Sequence, residues 1–158
     1  FIHPDMVFTL LSENECLLYK PLILEEAKFR TVLMTIDNKR VSKIIHVDNL
    51  IEGLKSIHYD YKAIECGGAQ KRDQEREQWH SGANMFAFDP GKVIGYGRNV
   101  HTMEAMNQQG YRIVSAEDFV TEAYDAVNPE KIVVTIEGAE LARGGGGARC
   151  MTMPLRRK

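Results

Sequence analysis

Residues 85–96 read Met-Phe-Ala-Phe-Asp-Pro-Gly-Lys-Val-Ile-Gly-Tyr. Two short apolar runs, 85–88 and 93–96, flank Asp89-Pro90-Gly91-Lys92. Proline presets φ for the first corner of a turn and glycine accepts the positive φ of the second, so the stretch reads as a β-hairpin. Beyond the hairpin the period changes. Asn99 stands where a helix N-cap belongs, the run to Gln109 is helical in spacing, and Gly110 suits its C-terminal stop. Residues 111–114 read as a strand, 116–127 as a helix and 132–136 as a strand.

Working back from the hairpin, a similar order recurs. Residues 6–11 and 16–19 are apolar runs on either side of Ser12-Glu13-Asn14-Glu15, a second hairpin. Pro21 punctuates the chain. Residues 29–36 alternate as a strand and 41–46 pair back across Asp37-Asn38-Lys39. Asp48 is placed to cap a helix through Ile57, and 61–66 is a strand ending at Gly67-Gly68. Two units of hairpin, helix and strand result, over 6–66 and 84–136, without sequence identity between them. The fold class is mixed α/β, with no internal linker. The run 70–79, Gln-Lys-Arg-Asp-Gln-Glu-Arg-Glu-Gln-Trp, is read as a surface helical turn whose charges face solvent and whose Trp79 packs beneath. Residues 143–149 form a glycine-rich loop and 151–155 a final strand.

Composition narrows the function. The 158 residues are 44% hydrophobic and 27% charged, values of a globular chain with room for a core. Net charge is -2 and no basic stripe forms, which argues against nucleic acid. No apolar run reaches the roughly 20 residues that span a bilayer, so no membrane role is expected. No signal peptide is visible at the N-terminus. Three cysteines, Cys16, Cys66 and Cys150, fit reduced thiols in a cytoplasmic setting, and their spacing matches no zinc pattern. Arg156-Arg157-Lys158 reads as a solvated tail.

Two places can carry chemistry. Cys150 follows Arg143-Gly144-Gly145-Gly146-Gly147-Ala148-Arg149. Four glycines in a row let backbone approach a ligand or swing, and a thiol beside cations loses its proton more readily. The plain alternative is a flexible loop followed by an ordinary cysteine. A phosphate cradle is disfavoured, because neither the Lys-Ser/Thr ending nor the G-x-G-x-x-G frame is present. The second place is His3-Pro4-Asp5. In an extended segment residues two apart share a face, so a base and a carboxylate would point into one site. The other histidines have no partner at ligand spacing; His46 and Asp48 repeat the H-x-D spacing at a helix start, where capping accounts for Asp48. Cys16 and Cys66 read as buried strand residues.

The ordered set His3-Pro4-Asp5-Met6-Val7-Phe8-Thr9, Gly67-Gly68, Arg76-Glu77-Gln78-Trp79, the stretch 84–99, and Glu140-Leu141-Ala142-Arg143 through Cys150-Met151-Thr152-Met153-Pro154 resembles the arginine deiminase family, within the guanidine-modifying enzymes. The resemblance spans nearly the whole chain. It implies a five-fold pseudo-symmetric α/β propeller around a central pocket, of which the two units would be part. It implies hydrolysis of arginine to citrulline and ammonia, with Cys150 as nucleophile, His3 as proton donor and water activator, and Asp5 and Gly144 on the substrate. L-arginine is the expected partner, and no cofactor or metal is required. An amidinotransferase, or an inert binding module of the same fold, are the competing readings.

Two departures stand out. Many relatives carry arginine where this chain has Gly145, which puts gating of the site in doubt. The segment 115–131 reads as a helical insertion. The chain begins at Phe1, and a catalytic histidine three residues from an end is physically odd. Residues 1–158 are therefore expected to be the C-terminal portion of a longer enzyme. An upstream part would hold a second guanidinium-binding carboxylate and the arginines that grip the substrate carboxylate. The portion alone is expected to be inactive, and to self-associate or pack against that upstream segment.

Overall fold

A computed structural model describes residues 3–25, 29–121, 130–153 and 155. Nine strands and five helices run in the order β1 (Phe8–Leu10), β2 (Glu15–Leu18), α1 (Lys20–Ile23), β3 (Thr31–Asp37), β4 (Arg40–Val47), α2 (Leu50–Ser56), β5 (Lys62–Glu65), α3 (Lys71–Trp79), β6 (Phe86–Asp89), β7 (Lys92–Tyr96), α4 (Val100–Gln108), β8 (Arg112–Ser115), α5 (Ala116–Thr121) and β9 (Ile132–Ile136) among the described residues. The mixed α/β class expected from the sequence is what forms.

The two units each build a sheet. In the first, β1 and β2 are antiparallel and β5 lies parallel to β2. In the second, β6 and β7 form the hairpin of the Pro90-Gly91 turn, with Gly91 at φ 73°. The parallel partner of β7 is β9, and β8 lies outside β9, giving the order β6-β7-β9-β8. The last of the described strands thus enters the middle of the sheet. Its Ile-Val-Val sequence explains this, since a central strand is covered on both faces and Ile132, Val133 and Val134 are all buried.

One core joins the sheets. Leu11, Leu17, Ile64 and Cys66 of the first unit pack with Met85, Val93, Met103, Met106, Tyr111 and Val133 of the second. Polar contacts cross the same seam. Gly91 N–H donates to the Leu11 carbonyl at 2.8 Å, and the Tyr111 hydroxyl donates to Glu15 at 3.0 Å. Lys131 Nζ reaches the same carboxylate at 2.9 Å. Glu15, read as turn chemistry, is thereby a buried strand residue with its charge paired.

Several expectations give way. Pro4–Met6 is a single 3-10 turn, so His3 and Asp5 do not lie along an extended segment. Pro4, with φ locked near -65°, starts the turn, and the Met6 and Val7 N–H groups close it onto the carbonyls of His3 and Pro4. The cap of α2 is Asn49, whose side chain accepts from Glu52 N–H at 3.0 Å, and not Asp48. Trp79 is 79% exposed while Gln74, Glu77 and Gln78 are buried, the reverse of a solvated face over a packed tryptophan. Residues 149–151 form a 3-10 turn and no strand follows among the described residues of 151–155. The helix expected over 116–127 is present as α5; its remainder, the rest of the 115–131 insertion up to residue 129, and residues 156–158 lie outside the described residues.

Candidate active site

The glycine-rich loop is folded, not loose. Leu141–Gly144 is one 3-10 turn and Arg149–Met151 another. Gly145 and Gly146 between them have φ 79° and 95°, a region side chains disfavour. A Cβ on Gly146 would stand 2.8 Å from Cys150 Cβ, and one on Gly147 would stand 2.5 Å from the Asn84 carbonyl oxygen. The loop therefore needs glycine for close packing around the Cys150 segment. Cys150 itself is exposed, whereas Cys16 and Cys66 are buried.

Asn84 is the meeting point. It is 1% exposed and sits where the turn after α3 enters β6. Its Nδ2 donates to the Asp5 carbonyl at 2.9 Å. Its Oδ1 accepts from Gly147 N–H at 2.9 Å and from Cys150 N–H at 3.2 Å. Thr9, also buried, donates its hydroxyl to the Ala83 carbonyl at 2.7 Å, tying β1 to the residue before Asn84. The Tyr96 hydroxyl lies 3.3 Å from the Gly146 carbonyl and 3.6 Å from Met151 sulphur. Burial, followed by the charge of Cys150, pushes the Tyr96 phenol up, so it stays a neutral donor.

The expected site residues divide. Asp5 and Cys150 are brought into one neighbourhood, with Arg149 Nε 3.3 Å from Asp5 Oδ2. The cation next to Cys150 is thus paired with the carboxylate expected to hold a guanidinium. His3 begins the Asp5 turn with an exposed side chain and lines a cavity of about 640 Å³ with Val7, Leu22, Phe29 and Leu50. Among the described residues no hydrogen bond joins it to Cys150. Gly144 lines a separate cleft of about 500 Å³ with Met6, Gln78, Trp79 and Gly145, which makes exposed Trp79 a wall of that cleft. A Cβ on Gly144 would meet nothing within 4 Å.

The two remaining cysteines are of another kind. Burial pushes both thiols up to about 12, and Thr102 and Glu77 beside Cys66 add smaller opposing influences. Neither is a nucleophile at neutral pH. Among the described residues no group of three or more His, Cys, Asp or Glu side chains is placed to hold a metal ion, and no helix is long and apolar enough to cross a membrane.

Asn84, Thr9 and Tyr96 were not singled out by reading the sequence. Their signal was positional only: Thr9 ends the His3–Thr9 motif, and Asn84 and Tyr96 fall inside the 84–99 stretch.

The family model described as arginine deiminase matches residues 1–157. Arginine deiminases of Streptococcus pneumoniae strains Hungary19A-6, CGSP14 and G54 (serotype 19F) are each 28% identical over 164 residues, covering 100% of this chain and 34% of theirs. The chain thus spans about a third of the length of these curated relatives.

Proposed function

The chain belongs to the arginine deiminase family, and from that premise we propose that it carries the nucleophile of an enzyme hydrolysing L-arginine to citrulline and ammonia. The observation that supports this best is the convergence on Asn84. A single buried amide ties the loop of the one exposed cysteine to the turn of Asp5.

The chemistry follows from the residue types. The Cys150 thiolate adds to the guanidinium carbon, and a terminal C–N bond then breaks. The departing nitrogen leaves as ammonia with a proton from His3, giving an S-alkyl thiouronium. His3 next takes a proton from water; hydroxide adds to the same carbon, the C–S bond breaks as the adduct's hydroxyl gives its proton to solvent, and neutral citrulline leaves with the thiolate restored. Asp5 holds the guanidinium by charge-assisted hydrogen bonds. In this scheme substrate must displace Arg149 from Asp5, and the His3 ring must turn from the cavity it lines toward the Cys150 sulphur. Gly144, with open space above its Cα, leaves room for substrate backbone groups in the cleft walled by Trp79.

The two sheet units are read as modules of a five-fold α/β propeller, completed by the larger part of the relatives' length that this chain does not span. The exposed faces then bind that remainder or self-associate. On this reading the chain alone lacks the groups that grip the substrate carboxylate and align the guanidinium, and alignment is worth roughly 7–11 kcal/mol in favourable cases.

The test is citrulline release from L-arginine by the chain alone and after mixing with the complementary part of a deiminase. No release alone, and release on mixing that Cys150→Ser lowers by several orders of magnitude, is the expected result. Robust turnover that survives Cys150→Ser, or that is lost equally in Cys16→Ser, overturns the assignment.

A further inference from the structure

Asn84 belongs to none of the chemical roles above, yet it is the most connected polar side chain near Cys150. We propose that Asn84 is the positioning residue that sets Cys150 against Asp5, and that its amide is required because no other side chain of that size serves both ends. The assignment rests on the deiminase reading.

The hydrogen bonds admit one orientation of the amide. Two backbone N–H groups, those of Gly147 and Cys150, converge on one end, and one backbone carbonyl, that of Asp5, faces the other. The oxygen must therefore face the N–H pair and the nitrogen the carbonyl. The Asn84 residue is 1% exposed, so solvent would not replace a lost bond without rearrangement. The backbone is committed as well. Asn84 N–H donates to the Ser81 carbonyl, and the absence of a Cβ at Gly147 lets the loop close onto the Asn84 backbone and side chain. The element order explains why a connector is needed. Asp5 and Cys150 lie at opposite ends of the chain, and among the described residues their segments share no strand pairing. Asn84 is the polar tie between the two backbones, and the Arg149–Asp5 pair is a weaker one at 3.3 Å, with the Arg149 side chain half in solvent.

The role is read by alkylating Cys150 with two reagents of similar size. Chloroacetamide is neutral, loses the same chloride, and reports thiol exposure. Chloroacetamidine carries a planar cation and reports thiol placement relative to Asp5. In each case the thiolate sulphur forms an S–C bond as the carbon–halogen bond breaks; halide leaves, and the thiol proton has gone to solvent. The ratio of the two rates, measured on the 158-residue chain, is the observable. We expect the unsubstituted chain to favour the cationic reagent and Asp5→Asn to abolish the preference. Asn84→Ala should lower the cationic rate by about tenfold to a hundredfold, the scale of a misplaced reacting group, with the neutral rate little changed. Asn84→Asp keeps the oxygens that accept from Gly147 and Cys150 but turns an oxygen toward the Asp5 carbonyl. It should lose the cationic preference likewise, and it serves if Asn84→Ala does not fold. If Asp5→Asn abolishes the preference while the folded Asn84 variant retains it, the positioning role is overturned and the deiminase reading stands. If the unsubstituted chain shows no preference, the placement of Cys150 against Asp5 is overturned, whereas the deiminase reading falls only with the mixing experiment above.

Discussion

Helix α3 and the ribbon of β3 and β4 break the rule of apolar inside and polar outside in opposite directions. Helix α3 is Lys-Arg-Asp-Gln-Glu-Arg-Glu-Gln-Trp, yet it buries Gln74, Glu77 and Gln78. The ribbon is rich in Val, Met and Ile, yet Ile36 and Ile44 are 68% and 61% exposed. Register explains the ribbon. Val32, Met34, Ile36, Val41 and Ile44 fall on one face, while the neighbours of Gly53 on α2, Thr31 and Val47, belong to the other. One face of the two-stranded sheet is open, and the other is covered only in part, at Thr31, Leu33 and Val47.

Hydrogen bonding explains the helix. Glu77 accepts from His101 N–H at 3.0 Å and Thr102 N–H at 2.8 Å, the second and third residues of α4. Those are the orphan donors that an N-cap side chain would satisfy. Asn99, the N-cap residue, makes no such bond; its amide nitrogen donates to the His80 carbonyl instead. Glu77 thus caps α4 from another helix, and also accepts the Thr102 hydroxyl at 2.7 Å and the Arg76 guanidinium at 3.0 Å. Gln74 donates to the Gly68 carbonyl at 2.6 Å. The contrast shows that pairing, rather than polarity, decides which side chain this fold can bury.

The contrast breaks most easily at Glu77. Glu77→Leu removes the acceptor, leaving the His101 and Thr102 N–H groups without it at a buried helix end and the Thr102 hydroxyl with only Gly67 N–H and the Cys66 sulphur. Unfolding in denaturant should lose about 3–5 kcal/mol, the range for removing one member of a buried charged network. A loss below about 1 kcal/mol would mean that α4 finds another cap, and that the buried carboxylate is incidental.

A smaller effect separates the buried side from the exposed side by pH. Burial holds the Cys16 and Cys66 thiols at about 12, against a usual value of 9.0. The folded chain therefore keeps protons that the unfolded chain gives up. The resulting stability is complete below pH 9 and is lost as pH rises from 9 toward 12, at up to about 1.4 kcal/mol per pH unit for each thiol. Tyr111, raised by burial and by Glu15, acts in the same sense. Denaturation midpoints between pH 8 and 10.5 should fall, and less so in a Cys16→Ala/Cys66→Ala variant. A flat profile, or rapid native labelling of more than one thiol per chain, would show that the core is open.

The smallest effect is expected on the ribbon. Ile36→Thr and Ile44→Thr should change stability by no more than about 0.5 kcal/mol each, as for exposed positions away from special features. Sedimentation should show less self-association in the double variant if the open apolar face is what associates. A cost near 2 kcal/mol in dilute solution would mean that something covers the ribbon in the isolated chain.

Reading the sequence succeeded where the deciding interactions are local. The Asp-Pro-Gly-Lys turn of β6 and β7, the stop at Gly110, and the burial of Cys16 on β2 and of Cys66 in the turn directly after β5 needed only neighbours along the chain. The choice of Cys150, Asp5 and His3 as candidates rests on contiguous motifs too; the structure draws Arg149, beside Cys150, onto Asp5 and leaves His3 lining another cavity. Local reading failed where a competing partner came from far away. Asn99 was the right N-cap residue with the wrong job, because Glu77, 22 positions earlier, had taken the donors. The extended reading of His3-Pro4-Asp5 failed because Pro4 opens a 3-10 turn, whose Asp5 carbonyl is then met by Asn84.

Sequence by itself determined the α/β class, the two strand–helix units and the family. These depend on periodicity, turn chemistry and contiguous motifs, which short-range sterics and hydrogen bonding express directly. Only the tertiary structure decided that β9 enters the sheet between β7 and β8, that a polar helix lies inward and an apolar ribbon outward, and that Asn84 joins Asp5 to Cys150. Each of those rests on pairing between residues tens of positions apart. A buried amide is worth little until its three backbone partners arrive, and costs the fold heavily if they do not.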